Sequence, residues 1–113
     1  MPSRRNLILL GMPAISYSVV ATLPDEKTRS EYVEWLQSGH VDAVVRAGAH
    51  TGVILRVEEP ASPPQVETRY VFTTREDYER YIRDAAQALR AEGLRQFPPE
   101  RGIRFERRVA VIV

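Results

Sequence analysis

Val66-Glu67-Thr68-Arg69-Tyr70-Val71-Phe72-Thr73-Thr74-Arg75-Glu76-Asp77-Tyr78 holds the change of periodicity on which the fold turns. Up to Thr73 the residues alternate, with Thr68, Tyr70 and Phe72 on one parity and Glu67, Arg69 and Val71 on the other, as in a half-buried strand. A helix start follows at once. Thr73 with Glu76 three residues later fits a capping box, and Thr74 with Asp77 is a competitor shifted by one residue. Tyr78, Ile82, Ala85 and Leu89 continue as an apolar stripe at helical spacing. Glu76 to Arg80 and Glu79 to Arg83 are i,i+4 pairs that mark the outer face as solvated charge. Gly93 either ends this helix or is tolerated before Phe97, and Pro98 and Pro99 end any helix. Ile103 to Val113 is then a Val-rich strand.

Working back from Val66, the cluster Glu58-Glu59-Pro60-Ala61-Ser62-Pro63-Pro64 reads as a surface connection, because prolines do not sit in a central strand. Ala49 to Glu58 alternates Thr51, Val53, Leu55 and Val57 against His50, Gly52, Ile54 and Arg56, another strand. Ala14 to Leu23 places Ile15, Tyr17, Val19, Ala21 and Leu23 on one parity, the first strand. Pro24 stops it. Asp25 and Glu26 then put negative charge in the first turn of a helix, where the macrodipole favours it, and that helix is expected to reach about Ser38. Tyr32, Val33 and Leu36 share its buried face. Gly39 permits a break, and His40 to Ala47 reads as a further short helical piece closed by Gly48.

The chain has 113 residues, the common size of a single domain. Residues 1–13 read as an N-terminal extension and 14–113 as one domain. A composition of 43% hydrophobic and 27% charged residues excludes disorder as the main state. Sixteen Lys and Arg against 15 Asp and Glu leave a net charge of +1, which argues against a basic nucleic-acid coat. With no Cys, disulfides, thiolate metal sites, Cys nucleophiles and iron–sulfur clusters are excluded. His40, His50, Asp42 and Glu58 lack the spacing of a metal site, and Gly39, Gly48 and Gly52 form neither a P-loop nor a dinucleotide fingerprint. No cofactor or metal is expected. Arg4, Arg5 and Leu7 to Leu10 resemble the start of a signal peptide, but the apolar run is too short for one or for a membrane span. A soluble cytoplasmic protein with no membrane partner is the expectation.

The order of elements is βαββαβ, with a helix in each long crossover and a loop between the middle strands. That order matches the split, ferredoxin-like α+β arrangement: a four-stranded antiparallel sheet with both helices on one face. The second parity of each strand then lies on a bare face. Val20, Ile54, Val71, Ala110 and Ile112 fall there, rimmed by Ser16, Ser18, His50, Arg56, Arg69, Arg104, Glu106 and Arg108. A face apolar at its centre and charged at its rim predicts a homodimer in which two sheets stack, with those five apolar residues as the interface.

Trp35-Leu36 followed by His40, the piece Val41 to Val45 with Gly48, Tyr70-Val71-Phe72, and the helix Tyr78-Glu79-Arg80-Tyr81 to Leu89-Arg90-Ala91-Glu92 resemble an uncharacterised bacterial family of roughly 100-residue proteins. That family is grouped with the dimeric α+β barrels. The resemblance spans about residues 14 to 113, and the chain departs from it at Gly93 and in the proline-rich Pro60 to Pro64 loop. It implies the dimeric barrel and supplies no catalytic residues. The wider barrel group includes cofactor-free monooxygenases acting on quinol-like aromatics, haem-degrading enzymes, muconolactone-isomerase-like proteins and ligand-sensing domains, and shared shape does not transmit function.

Five residues carry site expectations. His40 reads either as a catalytic proton acceptor for a phenolic or acidic C–H substrate, or as a helix C-terminal residue that meets free carbonyls, the commoner case. Trp35 and Tyr17 would line the same cleft between the first helix and the sheet. Arg107 breaks the apolar parity of the last strand. In order of preference it marks a β-bulge, lies at the dimer seam, or points into a cavity to bind an anion. Arg69 on the bare face is a rim salt-bridge partner, or a ligand-binding residue if a pocket exists there.

The function these residues suggest is a homodimeric domain binding a small aromatic or amphipathic molecule, with cofactor-free monooxygenase-like chemistry as its activity. A non-catalytic dimerisation or ligand-sensing module is the alternative. RRM-like RNA binding is the minor one, since Tyr17 and Tyr70 lie on the two middle strands; the missing RNP1 glycines and the near-neutral charge speak against it. A cavity reaching the His40 side chain and lined by Trp35 and Tyr17 favours a ligand site, and a filled core favours the module.

Overall fold

The computed structural model describes residues 13–113. The reading of 1–13 as an extension therefore lies, apart from Pro13, outside the described residues. Four strands, β1 (Ile15–Thr22), β2 (Thr51–Arg56), β3 (Gln65–Phe72) and β4 (Arg104–Val111), form one antiparallel sheet in the order β2-β3-β1-β4. Two helical segments cover one face of it. The first consists of α1 (Glu26–Trp35), a wide turn over Leu36–His40, and α2 (Val41–Arg46). The second consists of α3 (Arg75–Asp84) and α4 (Ala86–Gln96), followed by a 3-10 turn at Pro99–Arg101. This is the ferredoxin-like α+β fold. Among the described residues no helix is long and apolar enough to cross a membrane.

The helix starts follow from single side chains. Asp25 caps α1, its carboxylate accepting the Thr28 N–H at 2.7 Å. At the start of α3 the competitor prevails over the capping box at Thr73, since Thr74 is extended and its Oγ1 accepts the Asp77 N–H at 3.1 Å. The second helix bends once, at Ala85, whose φ of −131° separates α3 from α4. It then runs through Gly93 to Gln96.

Two buried clusters lie side by side under the helices. One gathers Ile15, Tyr17, Val44, Tyr70, Phe72 and Tyr81. The other gathers Ala21, Leu23, Tyr32, Leu36, Val66, Phe97 and Ile103. Alternation thus assigns the faces of β1 and β3 correctly. It inverts β2. Thr51 pairs with Val71, Val53 with Arg69 and Leu55 with Glu67, and directly paired residues share a face, so Thr51, Val53 and Leu55 lie on the bare side. Val53 is 48% and Leu55 36% exposed. Ile54 packs against the second core cluster instead, so its expected place in the bare-face interface is corrected. The sequence misleads because Gly52, on the helix-facing parity, offers no side chain to count. A Cβ there would sit 2.9 Å from both Tyr70 Cδ1 and Val41 Cγ1.

On the bare face Val20, Val71, Ala110 and Ile112 line a broad hollow with Ser16, Ser18, Glu67, Arg69 and Arg108. Arg69 donates to Glu67 at 2.9 Å, and with Val53 on one side of it and Ser18 on the other this pair lies within the face and not at its rim. The rings needed for RRM-like base stacking are absent from that face, because Tyr17 and Tyr70 are each 2% exposed beneath the helices.

Candidate functional site

Between the two core clusters the helices and sheet leave a cavity of about 140 Å³. Members of both clusters wall it: Tyr17, Val44, Tyr70 and Tyr81 from one, Tyr32 and Leu36 from the other. Trp35 and His40 close it on the side of α1, Leu89, Arg90, Gly93 and Leu94 on the side of α4, and Phe105 and Arg107 along β4. The exposed members, Leu94 and Arg107, mark its mouth.

The wide turn after α1 places His40. Gly39 adopts a φ of 149°, open to glycine and costly for any side chain, and the Val41 N–H reaches back to the Leu36 carbonyl. His40 is thereby folded onto Trp35, with ring centroids 4.1 Å apart and planes at 24°. It keeps helical dihedrals and is followed directly by α2, so it does not terminate the helical segment. Burial lowers its pKa from the ordinary histidine value, with Glu92 acting in the opposite direction. The neutral imidazole, which can accept a proton, is the favoured form at neutral pH. Gly93 admits the other side of the indole: a Cβ there would lie 3.2 Å from Trp35 Cη2.

Arg107 takes the third of its three expected positions. Pairing of β4 with β1 runs unbroken from Arg104 to Val111, with Val19 opposite Arg107 and Ser18 opposite Arg108, so there is no bulge and Arg107 faces the helix side. The preference for a bulge is corrected. Its Nε donates to Tyr17 Oη at 3.2 Å, and Arg90 Nη2 donates to the same oxygen at 3.1 Å. The Arg90 guanidinium carbon lies 6.0 Å from the Tyr17 ring centroid. Among the described residues neither arginine makes an ion pair. Arg90 Nε and Thr68 Oγ1 are buried without a hydrogen-bond partner, Thr68 lying near the Tyr32 phenol but outside hydrogen-bond geometry. Burial pushes the Tyr32 and Tyr81 phenols up to about 12 and raises Tyr70 as well, so these walls stay neutral.

Tyr17, Trp35, His40 and Arg107 therefore meet around one cavity. Arg69 does not join them, since it lies on the opposite face of the sheet. Sequence reasoning missed Arg90, which directly follows the stripe residue Leu89, missed Tyr32 and Thr68, which it placed only on core-facing positions, and missed Tyr81, which it left out of the apolar stripe. The available signal was the count of hydroxyl-bearing residues on core-facing positions, high for a filled core. Among the described residues no group of three or more His, Cys, Asp or Glu is placed to hold a metal ion.

No curated protein matches the chain. Solved structures of the same fold do. A dimeric ferredoxin-like protein from an uncultured marine organism is 14% identical, covering 89% of this chain and 96% of its own, with a TM-score of 0.69. SnoaB, a cofactor-independent oxygenase from Streptomyces nogalater, is 13% identical over 88% of this chain and 93% of its own, with a TM-score of 0.64. A Dabb family protein with a ferredoxin-like fold from Mesorhizobium loti is 19% identical over 89% and 98%, with a TM-score of 0.59. At these identities the likeness is one of fold. Residues 14–112 match the family model described as a domain of unknown function, DUF4286, and the chain belongs to that family.

Proposed function

We propose that this chain is a homodimeric small-molecule-binding domain whose cavity takes the aromatic end of its ligand, with His40 as the base of a cofactor-free, monooxygenase-like reaction. One observation carries the reading: the space between the core clusters reaches His40 and is walled by Trp35 and Tyr17. A packed core of this size has few voids larger than a water molecule. This one approaches the about 150 Å³ that holds a benzene ring in an engineered apolar cavity. A ring lying in it would have the Trp35–His40 stack on one side and the tyrosines on the other.

The chemistry follows from the neutral imidazole. His40 takes a proton from a phenol or an acidic C–H of the bound ring, and the surrounding guanidiniums favour the anion that results. That anion is its own reductant. At the carbon ortho to the phenolate oxygen, a methylene in the keto tautomer, electrons pass to dioxygen, a C–O bond forms to give the hydroperoxide, and loss of water leaves the ketone. The methylene group and one dioxygen thus become a carbonyl group and one water, the second oxygen atom leaving in the water with both methylene hydrogens. The cofactor-independent oxygenase of the same fold makes this class of reaction the one to test first.

The bare sheet face, apolar at Val20, Val71, Ala110 and Ile112, is the surface on which a second copy would lie. The dimeric state of the marine ferredoxin-like protein supports this arrangement.

The test is a thermal-shift panel of one-ring phenols and quinols, followed by oxygen-electrode traces with hydroquinone. Wild type is expected to be stabilised and to consume oxygen. His40→Gln, checked for folding by circular dichroism, is expected to keep the thermal shift and lose the oxygen uptake. A panel that stabilises nothing overturns the binding reading. Stabilisation without oxygen uptake assigns the cavity to the sensing module instead.

A further inference from the structure

The charged groups lining the cavity are both donors, Arg90 and Arg107, and apart from one bond each to the Tyr17 phenol oxygen nothing among the lining residues answers them. We propose that the occupant is a one-ring aromatic carboxylate, held with its carboxylate between Arg90 and Arg107 and its ring in the apolar space behind them. This rests on the reading of the cavity as a ligand site.

Tyr17 Oη has two lone pairs and one proton. Arg90 and Arg107 donate to that oxygen at 3.1 and 3.2 Å, so the phenol proton is left to point elsewhere. Each guanidinium has five N–H donors, and the phenol takes one from each. Among the described residues neither has a carboxylate partner, and no Asp or Glu lines the cavity. Arg90 Nε is buried and unpartnered. Deeper in, Thr68, 1% exposed, holds a hydroxyl with no partner and lines the same space. The strand register ties these groups together. Val19 pairs with Arg107 on one side and Thr68 on the other, placing all three in one row across the sheet, and Tyr17 begins the next row. The unpartnered buried Nε of Arg90 is costly, and the exposed Arg107 guanidinium beside it adds like charge with no anion between them. With the formal net charge only +1, this positive patch is local and not a consequence of a generally basic surface.

Guanidinium forks match a planar carboxylate in bidentate geometry. The walls behind them, Leu89, Phe105 and Trp35, are apolar, so a bare inorganic anion would leave them dry and unfilled. A volume of about 140 Å³ limits the apolar part to one ring.

The test is isothermal titration of the full-length protein with benzoate, its uncharged isostere benzamide, acetate and inorganic phosphate. Benzoate is expected to bind about tenfold to a hundredfold tighter than benzamide, the range for a hydrogen-bonded charged group, and tighter than acetate or phosphate. Arg107→Gln, at the exposed mouth where folding tolerates it, is expected to weaken benzoate far more than benzamide and so to remove that advantage. Arg107→Lys retains the charge without the fork and is expected to fall between. Benzamide binding as tightly as benzoate, or an advantage that survives both Arg107→Gln and Arg90→Gln, overturns the carboxylate assignment and leaves the ligand cavity standing. Phosphate or acetate matching benzoate shows an anion site without a ring and also overturns it. If no one-ring probe, charged or neutral, binds at all, it is the ligand-site reading that fails.

Discussion

His40 is held as a neutral ring by its burial against Trp35, and that has a consequence for stability as well as for proton transfer. Its pKa in the folded protein lies below the value of 6.5 for an ordinary histidine, so in the window between them the unfolded chain binds more protons. Stability is therefore fully present above about pH 6.5 and is lost as pH falls toward the folded pKa. Thermal unfolding at about pH 7.5 and about pH 5.5 should show a larger drop for wild type than for His40→Gln; equal drops would mean the imidazole is not desolvated. Gly52 makes a second prediction at this scale. Its missing side chain is the space filled by Tyr70 and Val41, so Gly52→Ala is expected to destabilise by about 2 kcal/mol in urea unfolding, as overpacking of a closed contact does. Sequence alone shows Arg107 to be anomalous, since a charge on an apolar parity stands out. It does not show the reason, because the cavity depends on Arg90 and Tyr17 arriving from elements far apart in the chain.

At the scale of elements, local signals mark where helices begin and leave the strand faces to pairing. The residues Thr73 to Asp77 contain two overlapping caps, and the outcome is decided by which threonine is extended. Thr74→Ala removes the acceptor of the Asp77 N–H and should cost about 1 kcal/mol, a fall in melting temperature of about 4 °C, whereas Thr73→Ala removes no cap bond. Arg29 shows a tie between elements that no local pattern contains. Buried in α1, it pairs with Glu26 and donates from Nη1 to the carbonyls of Val57 at 3.2 Å and Gln65 at 3.3 Å, the two ends of the proline-rich connection. Arg29→Met keeps the aliphatic stem but strands the Val57 carbonyl and leaves Gln65 with the Val57 N–H alone, so about 2 kcal/mol of stability should be lost, together with faster proteolysis between residues 57 and 65. The β2 parity was illegible for a related reason. As an edge strand with a glycine on its inner face, it declares its orientation through pairing with β3 and not through its own alternation.

For the whole molecule, the bare face is the feature that one chain leaves unresolved. Four strands about 4.8 Å apart and about 20 Å long cover roughly 400 Å² in plan, close to the largest apolar patch a monomer usually exposes. A stable homodimer buries about 800 Å² of accessible surface on each partner, so the corrugated face would have to be used nearly in full. Val53 and Leu55, which pairing turns toward that side, add apolar surface at its β2 edge, separated from Val20 by the Arg69–Glu67 pair. A two-fold axis through the face doubles any change made on it, because each substituted residue is buried by the partner as well as by its own chain. Val71→Asp introduces two carboxylates into such an interface, each losing water beside an Arg69 that is already paired with Glu67. Light scattering at about 100 μM is thus expected to give twice the chain mass for wild type and the single-chain mass for Val71→Asp, with the circular dichroism of the two alike. Ala88→Asp, on the solvated outer side of α4, should remain at twice the chain mass. A wild-type protein that scatters as one chain at that concentration would leave the bare face in water and remove the dimer from the proposal, while the cavity on the other side of the sheet, built from one chain's own residues, would stand or fall on its ligands alone.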